Sequence, residues 1–269
     1  MDGRLQTVLE DLRSVVVAYS GGVDSCYLAY AANRVLGSRA MAAIADSPSL
    51  PRAELAEALD VARRAGFAVE VVRTDEFERP EYLRNAPDRC FHCKQALFDS
   101  LFPLAADRGF AHVALGTVTD DLGDVRPGLE SARRRGAVQP LLDAGLAKSD
   151  VRRLARDAGL PVWDKPQAAC LSSRIPHGTP VSVDALRTVE RAEAAVRALG
   201  FTQVRVRHHG SRASVEVPPA DLGRIGTEPL RSKVMQAVAG AGYREVSIDP
   251  RGYRRAGTSL PVVEALSDG

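Results

Sequence analysis

Residues 18–25 read A-Y-S-G-G-V-D-S and stand between the apolar run Ser14-Val15-Val16-Val17 and a stretch of helical character, Cys26 to Leu36. Such a seam joins a first strand to a first helix. Any one of these residues is ordinary there, because Gly supplies positive φ and Ser or Asp caps a helix. Together they do more. Gly21 and Gly22 let backbone N–H groups face outward at a helix N-terminus, a site for an anion such as phosphate, and Ser20, Asp24 and Ser25 bring two hydroxyls and a carboxylate to the same place. The chain has no Gly-Lys pair, which excludes a Walker A loop, and no G-x-G-x-x-G follows a strand.

Outward from this loop, β-rich apolar runs recur near residues 15–18, 40–45, 68–72 and 112–115, with helical stretches at 24–36, 51–65 and 93–107. Gly37, Gly66 and Gly109 follow these helices and read as left-handed C-terminal caps. Strands alternating with helices predict an α/β fold with a parallel sheet. Ligands of such sheets sit beyond the carboxyl ends of the strands, where both Ser20–Ser25 and Gly116-Thr117 fall. From Thr117 to Pro140 the periodicity is weak, and irregular chain of that length is more often functional than idle; it carries Asp120, Asp121 and Asp124. A helix is expected at 148–158. The segment after it is broken by Pro166, Pro176 and Pro180 and sets a domain boundary, giving a first domain of residues 1–165 and a smaller α+β domain of residues 166–269. The second domain reads helix 182–199, strand 203–208, strand 213–217, helix 229–239, strand 243–248.

With 269 residues, 45% of them hydrophobic, the chain can bury a substantial core. A formal net charge of +2 calls for neither a nucleic acid nor a membrane. The N-terminus lacks the apolar core of a signal peptide, and no apolar run reaches about 18 residues, so a cytoplasmic protein is expected. Only Lys94, Lys148, Lys165 and Lys233 are lysines, against 32 arginines. Three of the four fall inside candidate motifs, which marks them as positions suited to a compact charge.

Four cysteines in a cytosolic chain suit metal or redox chemistry better than structural disulfides. Cys26, alone in the first helix, reads as packed core. Cys90 and Cys93 form C-x-x-C ahead of a helix, between Arg89 and Lys94, surroundings that favour thiolates. Cys170 lies in the proline-broken segment with Arg174 nearby. Three readings stand: a zinc site completed by His92 or His177, a redox pair with a separate nucleophilic Cys170, or an iron–sulfur cluster with one iron lacking a protein ligand. Arg205 and Arg207 alternate along one expected strand, share a face, and suit a substrate phosphate.

The S-G-G-x-D-S pattern resembles the PP-loop of the ATP pyrophosphatases, which cleave ATP between the α and β phosphates and adenylate a substrate oxygen. Lys148, opening K-S-D-V-R-R-L-A, resembles the lysine of those enzymes whose partner is the leaving pyrophosphate. P-D-R-C-F-H-C-K, G-T-V-T-D-D-L-G-D-V-R-P-G, W-D-K-P-Q-A-A-C-L-S-S-R-I-P-H-G and L-G-F-T-Q-V-R-V-R-H-H-G are together similar to the LarE family, over Ser20 to about Tyr253. LarE proteins are pyridinium-3,5-biscarboxylic acid mononucleotide sulfurtransferases that help build the nickel-pincer nucleotide of lactate racemase.

The resemblance implies a Rossmann-like PP-loop (adenine nucleotide alpha hydrolase) domain that uses ATP and magnesium to adenylate a substrate carboxylate, followed by sulfur transfer to a thiocarboxylate. Ser20, Gly21, Gly22, Asp24, Ser25, Gly116, Thr117 and Asp121 then surround the nucleotide, with Asp24 and Asp121 on Mg²⁺ and Lys148 on pyrophosphate. Cys90, Cys93 and Cys170 match the members that bind a [4Fe–4S] cluster; other members keep only the cysteine matching Cys170 and sacrifice its sulfur. Arg174, Arg205 and Arg207 fall to the substrate, and sulfide or another sulfur donor is the second partner. A homo-oligomer is expected, with the C-terminal domain serving substrate binding and oligomerisation. Val118 stands where the family commonly has Asn, and His177 where it commonly has Tyr. The rivals are a PP-loop tRNA thiolase, against which the near-neutral charge and the lack of an aromatic-basic patch speak, and a non-catalytic nucleotide-binding regulator, against which the set Asp24, Asp121 and Lys148 speaks.

Overall fold

Val15 to Tyr19, the apolar run that feeds the glycine-rich loop, is buried along its whole length, as expected of a parallel strand covered on both faces. The computed structural model describes residues 1–123 and 127–253. They divide into two compact units, one of residues 1–79 with 88–168, the other of residues 80–87 with the chain from 169 onward.

The chain runs through α1 (Gly3–Leu12), β1 (Val15–Tyr19), α2 (Val23–Leu36), β2 (Ala40–Asp46), α3 (Arg52–Ala65) and β3 (Val69–Arg73), then through α4 (Pro80–Leu83), which belongs to the second unit. The first unit resumes with α5 (Arg89–Asp107), β4 (His112–Ala114), α6 (Pro127–Arg134), α7 (Pro140–Asp143) and α8 (Lys148–Asp157). Its four strands pair in the order β3-β2-β1-β4, all parallel. Alternation along β1 serves two cores at once. Val15, Val17 and Tyr19 join a cluster with α2 and α8, whereas Val16 and Ala18 join Phe98, Leu101 and Val113 on the opposite face.

Several elements differ from the sequence expectation. The helix α1 was not anticipated; Asp2 caps it, its carboxylate accepting from Arg4 N (2.9 Å) and Leu5 N (3.3 Å), and Leu5 and Leu9 bury one face. The third long helix begins at Arg89 rather than 93, so the C-x-x-C lies inside it. Gly37 has positive φ, but its ψ of −125° is not left-handed helical, and a 3₁₀ turn Gly37–Arg39 follows directly. Gly66 does take the left-handed cap. The stretch expected to be irregular after Thr117 contains a 3₁₀ turn, Thr119–Gly123, and the helix α6, with Glu130 paired to Arg134 across one turn (2.8 Å).

The second unit is built on α9 (Val183–Ala198), β5 (Arg205–His209), β6 (Arg212–Glu216), α10 (Leu222–Ile225), α11 (Leu230–Gly240) and β7 (Glu245–Ile248). Its sheet has the order β5-β6-β7, antiparallel then parallel. Ala192, Val196, Val206, Val215, Val234 and Val238 form its core. The excursion of residues 80–87 joins this unit through buried polar contacts. The Tyr82 hydroxyl meets Ser172 Oγ (2.7 Å), and Asn85 Nδ2 donates to the carbonyls of Pro176 and Thr179 (both 2.8 Å). Proline breaks mark the joint near residue 168, but nothing in the sequence marks Pro80–Pro87 as part of the later unit. Among the described residues no helix is long and apolar enough to cross a membrane.

The end of β4 fixes where α2 begins. A Cβ added to Gly116 would lie 2.8 Å from Ser25 N and 2.9 Å from Asp24 C, both backbone atoms that cannot swing aside. Gly116→Ala is therefore expected to cost about 1–3 kcal/mol in urea unfolding. Gly3→Ala, in open space in α1, should be neutral or stabilising by up to roughly 1 kcal/mol.

Candidate active site

The glycine-rich loop is held by its own serines and by its neighbours. Ser25 Oγ accepts from Ser20 N (3.1 Å), meets Ser20 Oγ (3.0 Å) and donates to Gly22 O (3.2 Å), tying the two ends of the loop together. Gly21 has φ of +73°, and a Cβ on it would lie 2.8 Å from Ala58 Cβ of α3. The first intrahelical bond of α2 runs from Cys26 N to Gly22 O (2.9 Å), so the amides of Gly22 to Ser25 have no partner within the helix. They and the positive end of the helix dipole form an anion site at the carboxyl edge of the sheet.

Asp24, in the first turn of α2, pairs with the ammonium of Lys148 at the start of α8. Lys148 is placed by its surroundings: Asp120 Oδ2 accepts from Lys148 N (2.8 Å), and Asp150 Oδ2 accepts from Ala147 N (3.2 Å). Asp121 Oδ2 accepts from Val118 N (3.1 Å), closing the turn after Thr117. Burial pushes the Asp24 carboxyl above the usual aspartate range despite Lys148, and the Asp121 charge pushes it further. Its Oδ1 is buried without a hydrogen-bond partner. An orphaned carboxylate oxygen with a second carboxylate close by is a donor set that fits Mg²⁺, which takes one or two carboxylates and fills its other positions with water and phosphate. The backbone-anchoring role of Asp120 escaped the sequence reading because any exposed aspartate of a loop looks solvated. Asp124 lies outside the described residues.

The cysteines fall into two kinds. Cys26 is fully buried, and burial pushes its thiol up to about 12, so it is packed core. None of Cys90, Cys93 and Cys170 is in a disulfide; Cys90 and Cys170 are exposed and Cys93 half-buried. Cys90 and Cys93 lie one turn apart at the N-terminus of α5 and share a face. His92 turns its Nε2 to Asp88 Oδ2 (3.2 Å). Within either unit, among the described residues, no three His, Cys, Asp or Glu side chains come together to hold a metal ion. Cys90 and Cys93, on one helix face of the first unit, and Cys170, exposed in the second, are sulfur donors of the kind a [4Fe–4S] cluster takes.

Cys170 precedes a 3₁₀ turn, Leu171–Arg174. Arg174 grips that turn from inside, donating to the carbonyls of Ala169 (2.7 Å) and Cys170 (3.0 Å) while its fork holds Glu193 (2.8 and 3.1 Å). Glu193, fully buried, also accepts from Val206 N (3.1 Å) and Arg197 (2.9 Å). Arg207 makes a second fork with Glu216 (2.9 Å twice) and donates to Ser173 O (2.8 Å). Arg205 lies on the same strand face, 4.2 Å over the Tyr253 ring, and donates to its hydroxyl (2.6 Å). All three candidate arginines thus lie about the Cys170 turn, already bonded to acids, carbonyls or a ring. Glu193 and Glu216 were missed, since an acid on a helix or strand reads as a solvated face. Val118 is core, and His177 donates from Nδ1 to Asn85 O (3.2 Å).

Because folded Asp24 holds its proton more tightly than the unfolded chain does, its ionisation costs stability as pH rises above the ordinary value of 3.8, until the raised folded value is passed. Asp24→Asn is expected to raise Tm at neutral pH in the absence of nucleotide and Mg²⁺, with the gain shrinking as pH falls toward 3.8. The same substitution should lower nucleotide turnover by about 10²-fold or more. Thermal scans across pH, paired with pyrophosphate release, check both halves.

No protein-family model matches the chain. An uncharacterised protein of Synechocystis is 40% identical over 93% of this chain and 96% of its own length. Pyridinium-3,5-bisthiocarboxylic acid mononucleotide synthase of Lactiplantibacillus plantarum is 35% identical over 93% of this chain and 90% of its own. The tRNA-specific 2-thiouridylase MnmA of Azorhizobium caulinodans is 29% identical over 88% of this chain and 69% of its own. Identity at that level, end to end across both units and including a loop built as a PP-loop, places the chain as an enzyme of the pyridinium-3,5-bisthiocarboxylic acid mononucleotide synthase (LarE) family.

Proposed function

We propose that the chain uses ATP to adenylate a carboxylate of pyridinium-3,5-biscarboxylic acid mononucleotide and converts it to a thiocarboxylate, a step in building the nickel-pincer nucleotide. The observation that carries this reading is the Asp24–Lys148 pair at the PP-loop, with the orphaned Asp24 oxygen beside free helix-start amides. A carboxylate is a poor electrophile. Its oxygen attacks the α-phosphorus of ATP, the bond to the bridging oxygen breaks, and pyrophosphate leaves. The amides of Gly22 to Ser25 and the Lys148 ammonium hold the charge of the departing pyrophosphate, a preorganised role. Magnesium held by Asp24 and Asp121 would neutralise phosphate charge in the same place.

In the second half, a sulfide-level nucleophile attacks the acyl carbon and the carbon–oxygen bond to AMP breaks, leaving the thiocarboxylate without any change of oxidation state. A [4Fe–4S] cluster held by Cys90, Cys93 and Cys170 would carry that sulfide, which free sulfide or another sulfur donor replenishes. Arg174 keeps the Cys170 turn in place, and Arg205 and Arg207, on the neighbouring strand face, are the substrate-side arginines. The same reading gives the second unit substrate binding and oligomerisation, in a cytoplasmic homo-oligomer.

Turnover should yield AMP and pyrophosphate, and Lys148→Ala should cut pyrophosphate release by about 10²–10³-fold; ADP as the nucleotide product would refute the adenylation. For the sulfur source, mass spectrometry after turnover should find Cys170 intact, and iron content after anaerobic reconstitution should fall in Cys90→Ala, Cys93→Ala and Cys170→Ala alike. Stoichiometric dehydroalanine at position 170 with no iron bound would replace the cluster with a sacrificed cysteine.

A further inference from the structure

Lys165, the lysine of W-D-K-P, has no task in the chemistry above. Its side chain is mostly buried, 14% exposed, and the ammonium donates to Glu54 Oε2 (2.6 Å) and Glu57 Oε2 (2.7 Å). These carboxylates lie one turn apart on α3, where they would repel each other without a cation between them. A compact ammonium with three donors fits that gap better than a planar fork. Burial pulls the Lys165 ammonium down, but its bonds to Glu54 and Glu57 outweigh burial and raise it above the ordinary lysine value. The main chain is gripped from the other side as well. Arg152 donates to Trp163 O (2.7 Å) and Lys165 O (2.9 Å), while Val162 is seated in the core. The strap of residues 162–165 is therefore held by α3 and by α8.

Both holders are also parts of the nucleotide site. Gly21 rests against Ala58 of α3, and the Ala58 carbonyl accepts from the Tyr19 hydroxyl at the end of β1 (2.9 Å). Arg152 lies one turn beyond Lys148 on α8, and its charge is felt at Asp24. Lys165 itself is near enough to act on Cys26 in the first turns of α2. Five residues after Lys165 the chain reaches Cys170.

We propose that Lys165 is a positioning residue: with Glu54, Glu57 and Arg152 it sets the strap that begins at residue 162 in register with the phosphate-binding loop, so that nucleotide binding is passed to this strap, from which the chain runs on to Cys170. This rests on the nucleotide site of the proposed function. The test is hydrogen exchange of residues 162–168 with and without ATP and Mg²⁺. In the parent protein ATP should slow exchange there by about tenfold or more. Lys165→Met should lose that slowing while ATP affinity stays within about threefold. Lys165→Met leaves two carboxylates facing each other, so the triple variant Lys165→Met, Glu54→Gln, Glu57→Gln, which removes the clamp without stranding a charge, is the second arm and should behave alike. With the pyridinium mononucleotide and sulfide, thiocarboxylate formed per pyrophosphate released should fall about tenfold in both variants, while pyrophosphate release itself stays within about threefold. Slowing that is absent in the parent or survives in both variants, or two products that fall in equal proportion, overturns the assignment. A parent protein that binds ATP but makes no thiocarboxylate refutes sulfur transfer instead, and the exchange comparison still decides the role of Lys165.

Discussion

The first turn of α2 is wedged between two glycine contacts, and the candidate site depends on that wedge. On one side Gly21 lies against Ala58; on the other Gly116 lies against the backbone of Asp24 and Ser25, and neither place has room for a Cβ. The wedge joins three strand ends, because β1 leads into Gly21, β2 into α3 and β4 into Gly116. Parallel pairing in register, Val15 opposite both Ala40 and His112, brings those ends to one edge. The helix therefore starts at a fixed place with its first amides open, and electrostatic stabilisation by such amides needs no rearrangement when an anion arrives.

The Cys170 turn and the glycine-rich loop treat buried charge in opposite ways. In the second unit the charges close on each other: Arg174 on Glu193 and Arg207 on Glu216, each through two bonds, with leftover donors spent on the carbonyls of Ala169, Cys170 and Ser173. Removing one partner from such a pair leaves the other stranded and typically costs about 3–5 kcal/mol, so these forks define the shape of the Cys170 turn. In the first unit Asp24 is only half satisfied, with one oxygen on Lys148 and the other on nothing. A folded protein tolerates an orphaned carboxylate oxygen as a cost, and a cation is the ligand that recovers it.

The alternation of strands and helices and the glycine-rich loop at the start of α2 could be read from the sequence, because Val15-Val16-Val17, the two glycines and the Gly66 cap act through local backbone preference. The residues that complete the site could not. Asp120 reaches Lys148 N from 28 positions away, Asn85 holds Pro176 and Thr179 across more than 90, and Glu216 meets Arg207 only because β5 and β6 pair in one register. Such partners are fixed by tertiary approach, and their residue types are also those of a solvated surface. The helix α6 was hidden for a different reason: Pro127 and Gly128 at its start are turn residues by composition, and the apolar side chain it buries, Ala132, packs into a core built by distant elements.

The uneven use of basic residues follows from geometry. Arg174 and Arg207 each face a single carboxylate squarely and still have donors for a carbonyl, which a planar fork does and an ammonium does not. Lys148 and Lys165 meet a different demand. Lys148 meets one oxygen of Asp24 and leaves the other without a partner, and Lys165 splits its bonds between two carboxylates on one helix face. A guanidinium at 148 would satisfy both oxygens of Asp24 and so occupy the one that is now open. The ammonium is too small to complete the pair, and Asp24 Oδ1 stays open.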